Sequence, residues 1–334
     1  MAPALWPGGK EAAVTGKRLL SSLLLLGFMC IAGQPARAEN TSGEWAVSAK
    51  LTWLMAAHTS YEFGNPEPPK WSPLSRLEFP LNSWWGGLAV GRRTSRWAVN
   101  LEVLTNLSRE AQGAMKDTDW EDENSTKTVT TYSESDCRLE PSYMAQADFA
   151  LQVGDWLGLP RRLGLAPLVG IRYQNFHFVT HDGVQWSPPD GGRDLGDPLP
   201  GDGISFRQTY WHFFLGFRST LDLKPTAGLT SLQLSLQADW AYVVAENRDH
   251  HLLRAGHRLT LEETKGDAWR LALGIKAGLG KHWFLSLDAS YLNVYTTGSH
   301  RLLDDAMDID FSFSDGVVVW SEQVSLTLGL TYAF

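Results

Sequence analysis

Two short pairs of ionisable residues are the positions in this sequence best suited to chemistry. The first pair lies in Asp117-Thr118-Asp119 and the second in Asp249-His250-His251. The ionisable side chains that begin and end each triplet are two residues apart, and positions i and i+2 of an extended strand point to the same side. Three carboxylates and an imidazole that met in one cleft would be able to activate water for hydrolysis. The elements around these residues decide whether they meet.

The N-terminus has the features of a secretory signal. Basic residues precede an apolar stretch from Leu19 to Ala32, which is shorter than the roughly 20 residues of a membrane-spanning helix. Small residues suited to a cleavage site follow. We predict a signal peptide at residues 1–38 and a single domain at residues 39–334. A buried N-terminal helix is the alternative interpretation.

Composition excludes some functions and favours others. A net charge of −8 argues against a nucleic-acid-binding protein and permits basic partners. After the signal there is no apolar run long enough for a transmembrane helix. The 15 Trp, 14 Phe and 9 Tyr residues, in a chain of modest hydrophobicity, are typical of an outer-membrane barrel with aromatic belts. A soluble, periplasmic β-protein would have the same composition.

The C-terminal stretch favours the barrel. From Gln323 to Phe334 apolar and small or polar residues alternate without a break, over slightly more than the roughly 9–11 residues that a tilted strand needs to cross a bilayer. The last residue, Phe334, is aromatic, as is common in bacterial outer-membrane barrels. Similar stretches recur with Asp148, Asp239 and Asp288 on the polar face, which a barrel lumen tolerates and a lipid-facing surface does not.

These patterns predict an all-β protein: a ten-stranded antiparallel transmembrane β-barrel with long extracellular loops. The predicted strands are 44–61, 73–91, 95–110, 137–154, 163–180, 203–221, 229–247, 257–280, 281–300 and 316–334. Long polar connections are predicted at 62–71, 110–136, 181–202, 248–256 and 301–315, with short turns between the other strands. Both pairs are then expected in long loops at the extracellular end, where the walls of a narrow barrel bring them close.

The two pairs carry a resemblance. Asp117-Thr118-Asp119-Trp120, and Asp249-His250-His251 after a strand containing Asp239-Trp240, resemble the omptin family of outer-membrane proteases. The resemblance implies a ten-stranded barrel with its active site facing outside the bacterial cell. It also implies an endopeptidase that cleaves exposed peptides by activating water between the two pairs.

The resemblance assigns a role to each residue. His251 is the expected general base, and Asp249 is expected to orient its imidazole and stabilise the charged form. Asp117 and Asp119 are expected to hold the water from the other side, and crowded carboxylates of this kind can share a proton. Neither a covalent intermediate nor a metal is required.

Other interpretations of the same residues stay open. The acidic segment 117–123 also suits a solvated loop or a weak Ca²⁺ site, and the histidines suit exposed loop positions or a casual metal site. At the level of the whole protein, the alternative is a non-catalytic outer-membrane barrel that serves as a narrow pore, an adhesin or a structural protein.

Substrate contacts are expected beside the Asp–His pair. Omptins have an acidic residue two positions before this Asp, where it helps to bind a basic substrate side chain, and here that position is Asn247. On the first strand the partner position corresponds to His58 or Glu62. The acidic mouth favours basic peptides or proteins as substrates through electrostatic attraction.

The resemblance also implies an outer-membrane lipid partner, with lipopolysaccharide as an activator in place of any conventional cofactor. Tyr173 matches a lipid-binding position of the family. Asn175, His177 and Thr209 replace charged residues there, so Arg172 and Arg207 are the expected substitutes. A monomer is expected.

Overall fold

The computed structural model describes residues 43–67, 71–122, 127–187, 196–226, 228–256 and 258–334. Thirteen strands form a single antiparallel sheet that closes on itself. The predicted signal peptide at residues 1–38 lies outside the described residues, and its cleavage stays a prediction.

The strands follow one another around the barrel. They are β1 (Glu44–Asn65), β2 (Trp71–Pro80), β3 (Ser83–Arg93), β4 (Trp97–Asn106), β5 (Met115–Asp119), β6 (Thr131–Leu139), β7 (Tyr143–Leu151), β8 (Leu163–Trp186), β9 (Asp197–Leu223), β10 (Ser231–His251), β11 (Arg258–Gly278), β12 (Trp283–Asp304) and β13 (Ile309–Ala333). Three positions in the ring are each divided between two strands, β2 with β3, β4 with β5, and β6 with β7. The ring therefore has ten positions, and the predicted fold is confirmed.

Pairing of the first and last strands closes the barrel. β1 and β13 are antiparallel from Ala46 opposite Ala333 to Phe63 opposite Val317. We call the end where β1 joins β2 and β10 joins β11 the upper end, and the opposite end, which holds Phe334, the lower end. In the part of the chain that the structure describes, closure leaves no free sheet edge, and each of the thirteen strands is paired on both sides.

The two faces of the barrel differ as the alternation predicted. Large apolar side chains are exposed on the outside of the lower and middle barrel, including Phe213, Trp269 and Leu328. Polar residues such as Asp148 and Asp239 are buried inside. Within the described part of the chain, no helix is both long and apolar enough to cross a membrane.

The upper parts of the strands are longer than predicted, and the connections are shorter. β10 extends to His251 and β12 to Asp304, where loops were expected from 248 and from 301. The prediction was wrong because residues 248–251 are polar on both faces and the adjacent Leu302 and Leu303 interrupt the alternation, so neither part has the pattern that identifies a strand. As a result Asp117 and Asp119 lie on β5, and Asp249 and His251 lie on β10.

A β-bulge in β1 determines which of its residues face the interior. Leu54 is buried inside the barrel, and the pairing with β13 shifts between Met55 and His58, where Ala56 adopts a φ of 45°. A one-residue shift moves every later side chain to the other face. Tyr61 therefore points inward, and its neighbours in sequence point outward.

Ion pairs and hydrogen bonds fill the lumen of the middle barrel. Arg172 contacts Asp239 at 3.2 Å and Arg218 contacts Asp148 at 3.2 Å, with both carboxylates almost fully buried. The space that remains, lined by residues such as Gln146 and Gln323, has a volume of about 100 Å³. The assignment of Arg172 to lipid binding was wrong, because its guanidinium lies inside the barrel.

Six aromatic rings close the barrel above this network. This aromatic floor consists of Tyr61, Phe79, Phe176, Phe178, Phe206 and Tyr210, all at most 1% exposed. The ring centroids of Phe79 and Phe206 are 4.3 Å apart, and those of Phe79 and Phe178 are 5.1 Å apart. The floor separates the upper mouth of the barrel from the lumen below.

Candidate active site

The two ionisable pairs lie at the upper end, on strands from different walls. β5 is paired with β2 and β6, and Asp117 and Asp119 both project inward from it. β10 is paired with β9 and β11, with Asp249 opposite Phe206. β10 lies four positions from β1 around the ten-position ring by the shorter way, with β13, β12 and β11 between them, so contacts between these two strands cross the mouth of the barrel.

Asp249 is the most enclosed member of the site. Its side chain is 0% exposed, and Nε2 of His251 approaches its Oδ2 at 3.4 Å. The hydroxyl of Tyr61, from the opposite wall, donates a hydrogen bond to the same oxygen. One carboxylate oxygen therefore joins β1 and β10 across the mouth.

The contact between Asp249 and His251 shifts the pKa of both groups. Burial acts to raise the pKa of Asp249, but the charge and hydrogen bond of His251, the hydrogen bond from Tyr61 and the charge of Arg258 together hold this pKa below its usual range. Burial acts to lower the pKa of His251, but the carboxylate of Asp249 raises it above the ordinary value. The pair is consequently stabilised as an imidazolium and a carboxylate.

The Asp pair has the opposite electrostatic character. Burial and the adjacent charge of Asp119 raise the pKa of Asp117 to about 8. Burial also raises the pKa of Asp119. The hydroxyl of Ser75 on β2 donates to Oδ1 of Asp117 at 3.5 Å. Two carboxylates this close retain a proton near neutral pH, as expected for like charges in a partly dehydrated site.

The two pairs are near enough to influence each other. The positive charge of His251 acts to lower the pKa of both Asp117 and Asp119, and the negative charge of Asp249 acts to raise the pKa of Asp117. The structure thus brings all four residues that the sequence singled out within electrostatic reach of one another at the mouth.

A positively charged residue, Arg258, also acts on the two pairs. Arg258 on β11 is directly opposite His251 in the sheet register. Its charge acts to lower the pKa of Asp119 and Asp249 and also that of His251. Among the described residues its Nε has no hydrogen-bond acceptor.

A buried acid lies beside the Asp–His pair, on the next strand. Glu262 is opposite Asn247 in the register of β10 and β11, and both side chains are buried. Nδ1 of His300 on β12 lies 3.2 Å from Oε1 of Glu262. Burial raises the pKa of Glu262 well above its usual range and lowers the pKa of His300 to about 4, so burial disfavours the charged form of both partners.

Of the three predicted substrate contacts, one faces the interior of the barrel and two face outward. Asn247 faces the interior two residues from Asp249. His58 and Glu62 instead share the outward face of β1, because the bulge at Ala56 turns that face away from the mouth. Glu62 accepts two hydrogen bonds from Arg76. The suggestion that either residue lines the site was wrong for this reason.

Two of the predicted lipid contacts lie on the outer face, in contrast to Arg172. Tyr173 is next to Trp211, with ring centroids 4.6 Å apart. Arg207 is exposed and lies opposite His177 on one side and Arg248 on the other, so three basic side chains form a row across β8, β9 and β10.

Sequence reasoning missed Tyr61, Glu262, His300 and Arg258. None of them belongs to a local motif, and the partners of Tyr61 and Glu262 lie far away in sequence; Tyr61 and Asp249, for example, are 188 positions apart. Only the strand register brings them to the site. Within the described residues, no three His, Cys, Asp or Glu side chains are arranged to hold a metal ion.

Comparisons with known proteins agree with the fold. The model of the omptin family matches residues 88–334, which include both pairs. The outer membrane protease OmpT from Escherichia coli has a similar structure, with a TM-score of 0.76 and 16% identity over 90% of this chain and 99% of that chain.

The other matches are weaker. The translocator domain of the autotransporter NalP from Neisseria meningitidis covers 97% of this chain and 96% of its own, but with a TM-score of 0.37 and 10% identity. No curated protein sequence matches significantly. The family match and the shared architecture indicate a transmembrane barrel of the bacterial outer membrane with a protease fold, and the chain belongs to the omptin family.

Proposed function

We propose that this protein is an endopeptidase of the outer membrane that hydrolyses exposed peptides with a water activated between the Asp pair and the Asp–His pair. The observation that carries the proposal is the convergence of Asp117, Asp119, Asp249 and His251 in one electrostatically coupled site. A chance cluster of loop acids and histidines would not be held on paired strands from different walls.

The chemistry follows from the arrangement. Nε2 of His251 faces Asp249, which leaves Nδ1 to accept a proton from water. Asp249 stabilises the imidazolium that forms. The Asp pair, which retains a proton, holds the water and hydrogen-bonds the oxygen of the attacked carbonyl as it gains charge. The imidazolium then gives its proton to the leaving amine, so no covalent enzyme intermediate is formed.

The mouth suits a peptide with basic residues. The site lies at the upper end, which we place outside the cell. In the active form His251 is neutral and the Asp pair holds one proton, so two carboxylates face the charge of Arg258, and this excess of negative charge attracts basic peptides. The protein is expected to act as a monomer, since the four residues all come from one chain.

Lipopolysaccharide is the proposed activator. Its phosphates would meet the basic row of His177, Arg207 and Arg248, above the outward rings of Tyr173 and Trp211. A lipid bound there would stiffen β8, β9 and β10, and β10 carries Asp249 and His251.

The alternative of a narrow pore receives little support. The aromatic floor closes the barrel just below the site, and ion pairs occupy the lumen under it. A passive adhesin or structural barrel stays the alternative that experiment must separate from the peptidase.

Cleavage of a peptide library tests the proposal. The refolded protein, in detergent micelles with lipopolysaccharide, should cleave library members, and His251→Ala should reduce kcat/KM by about a hundredfold or more because the general base is lost. His250→Ala is the matched control, since His250 lies on the other face of β10, and it should retain activity. Equal cleavage by wild type and His251→Ala would refute the assigned base. Absence of cleavage by all three proteins would favour the passive barrel.

A further inference from the structure

Among the described contacts, one side-chain hydrogen bond reaches Asp249 from another wall of the barrel, and Tyr61 donates it. The ring is 1% exposed, and the hydroxyl donates to Oδ2, the oxygen that also faces His251. Oδ1 of Asp249 has no hydrogen-bond partner among the described residues. The orientation of this carboxylate therefore depends on the two contacts at Oδ2.

The ring of Tyr61 is held firmly enough to fix the position of its hydroxyl. It stacks on Phe206 with centroids 5.3 Å apart and an interplanar angle of 17°. Phe206 is opposite Asp249 in the sheet, so the ring that supports Tyr61 is also next to the carboxylate. A buried phenol hydroxyl needs a partner, because burying it without one is costly. Asp249 is that partner.

We propose that Tyr61 is a positioning residue for Asp249, holding the carboxylate from the opposite wall in the orientation that directs His251 toward the water. This inference rests on the proposed peptidase function. Tyr61 does not touch the reacting atoms. It acts through Asp249, in the same way that a hydrogen-bond donor behind any Asp–His pair fixes the orientation of the acid.

Removal of the hydroxyl has two consequences. The carboxylate becomes free to rotate about its last bond, so fewer molecules hold His251 in the productive orientation. A carboxylate that has lost a hydrogen-bond donor also attracts the imidazolium more strongly. His251 would then keep its proton to a higher pH, and the neutral base would form at a higher pH.

Tyr61→Phe tests this inference, with Tyr210→Phe as the matched control. Tyr210 belongs to the same aromatic floor and is equally buried, but its hydroxyl is 2.9 Å from that of Thr59 and makes no contact with Asp249. Both variants keep the ring, so the floor stays packed. Folding of each is checked by the shift in electrophoretic mobility between unheated and heated samples.

The expected result is specific to Tyr61. Tyr61→Phe should lower kcat about ten- to a hundredfold with little change in KM, the range for losing a hydrogen bond to a charged group. In the plot of kcat/KM against pH, the rising limb of Tyr61→Phe should also move to higher pH. Tyr210→Phe should keep the wild-type kcat and limb. The inference would be overturned if the rising limb of Tyr61→Phe stayed at the wild-type pH, or if both variants shifted equally.

A second measurement works without turnover. The titration of His251 can be followed by NMR in ¹³C-histidine-labelled protein, with its signal assigned by His251→Ala. A higher pKa of His251 in Tyr61→Phe than in wild type and Tyr210→Phe supports the positioning role, and an unchanged pKa contradicts it. If wild type cleaves no peptide, the proposed function fails and this titration still decides the role of Tyr61.

Discussion

Asn247 on β10 lies directly opposite Glu262 on β11, and both side chains are buried two residues below the level of Asp249. The acid beside the Asp–His pair is thus on β11, where it contacts His300 at 3.2 Å, and the position on β10 is an uncharged amide. At neutral pH this corner of the site carries less negative charge than an Asp at position 247 would give it.

Asn247→Asp should therefore increase the preference for basic residues at the cleavage site. A new carboxylate on the inner wall attracts a guanidinium or ammonium group of the substrate, and one partly buried charge contact of about 1.4 kcal/mol corresponds to about a tenfold change. The ratio of kcat/KM for matched peptides with arginine and with norleucine at the cleaved position measures it.

Asn293→Asp is the control for this substitution. Asn293 lies on the outward face of β12, where its amide donates to Glu322 at 3.5 Å, so the variant adds the same charge outside the site and away from the basic row. Its selectivity ratio should equal that of wild type. An equal rise in both variants would mean that net charge, rather than the position of Asn247, controls selectivity.

The pKa values of His251 and Asp117 predict a bell-shaped pH dependence. Activity should rise with pH through a value above 6.5, because Asp249 raises the pKa of His251 and the base must be neutral. Activity should then fall as pH passes about 8, where Asp117 loses its proton and the added negative charge repels the developing oxyanion. Asp117→Asn should lose the falling limb, and Asp136→Asn, on the exposed face of β6, should keep both limbs.

The raised pKa of Asp117 also makes the stability of the folded protein depend on pH. The pKa of Asp117 is about 8 in the folded protein and 3.8 for an ordinary Asp. A raised pKa contributes stability that is fully present below the unfolded value and is lost as pH rises through the folded value. The melting temperature of wild type should therefore fall between about pH 4 and pH 8 more steeply than that of Asp117→Asn. Parallel declines in both proteins would show that Asp117 ionises normally.

Lipopolysaccharide activation should depend on Arg207. One surface cation near an anionic lipid contributes about 1 kcal/mol, so Arg207→Ala should raise the concentration for half-maximal activation about fivefold. Arg92→Ala is the control, because Arg92 lies near the lower end over the rings of Trp45 and Trp97. If the two variants respond alike to lipopolysaccharide, the basic row on β8, β9 and β10 is not the binding site.

The fold could be predicted from the sequence in those parts of the strands that have one face toward lipid and the other toward the lumen. The unbroken alternation from Val324 to Phe334 is an example. The same rule would have separated Arg172 from Tyr173, which the lipid-binding prediction placed together, because neighbouring residues of a strand face opposite ways. The upper strands were missed because residues such as Arg248 and Asp249 are polar on both faces, although the sheet continues through them.

The site was readable only in part, for a related reason. The two pairs were found because their i, i+2 spacing is local and does not depend on how the strands are paired. These are Asp117 with Asp119 and Asp249 with His251. Tyr61 could not be found in this way, because an alternation counted from Leu54 would put His58 and Glu62 inside. One extra residue at the bulge near Ala56 reverses that assignment, and no local pattern marks the bulge.

The ion pairs of the lumen should matter more for stability than those of the surface. Asp239 is 1% exposed and contacts Arg172 at 3.2 Å and Arg270 at 3.7 Å. Asp239→Asn leaves the buried guanidinium of Arg172 without its counter-charge, which should reduce the free energy of unfolding by about 3–5 kcal/mol. Asp310→Asn breaks a fully exposed pair with Arg301, which water screens, and should change the free energy of unfolding far less.

Urea unfolding of the two variants in lipid vesicles, followed by tryptophan fluorescence, measures both costs. A difference between Asp239→Asn and Asp310→Asn is expected because the lumen lacks the water that screens a surface charge. Equal costs would mean that water fills the space around Gln146 and Gln323 well enough to solvate Arg172. The lumen would then behave as a hydrated channel below the aromatic floor rather than as a packed core.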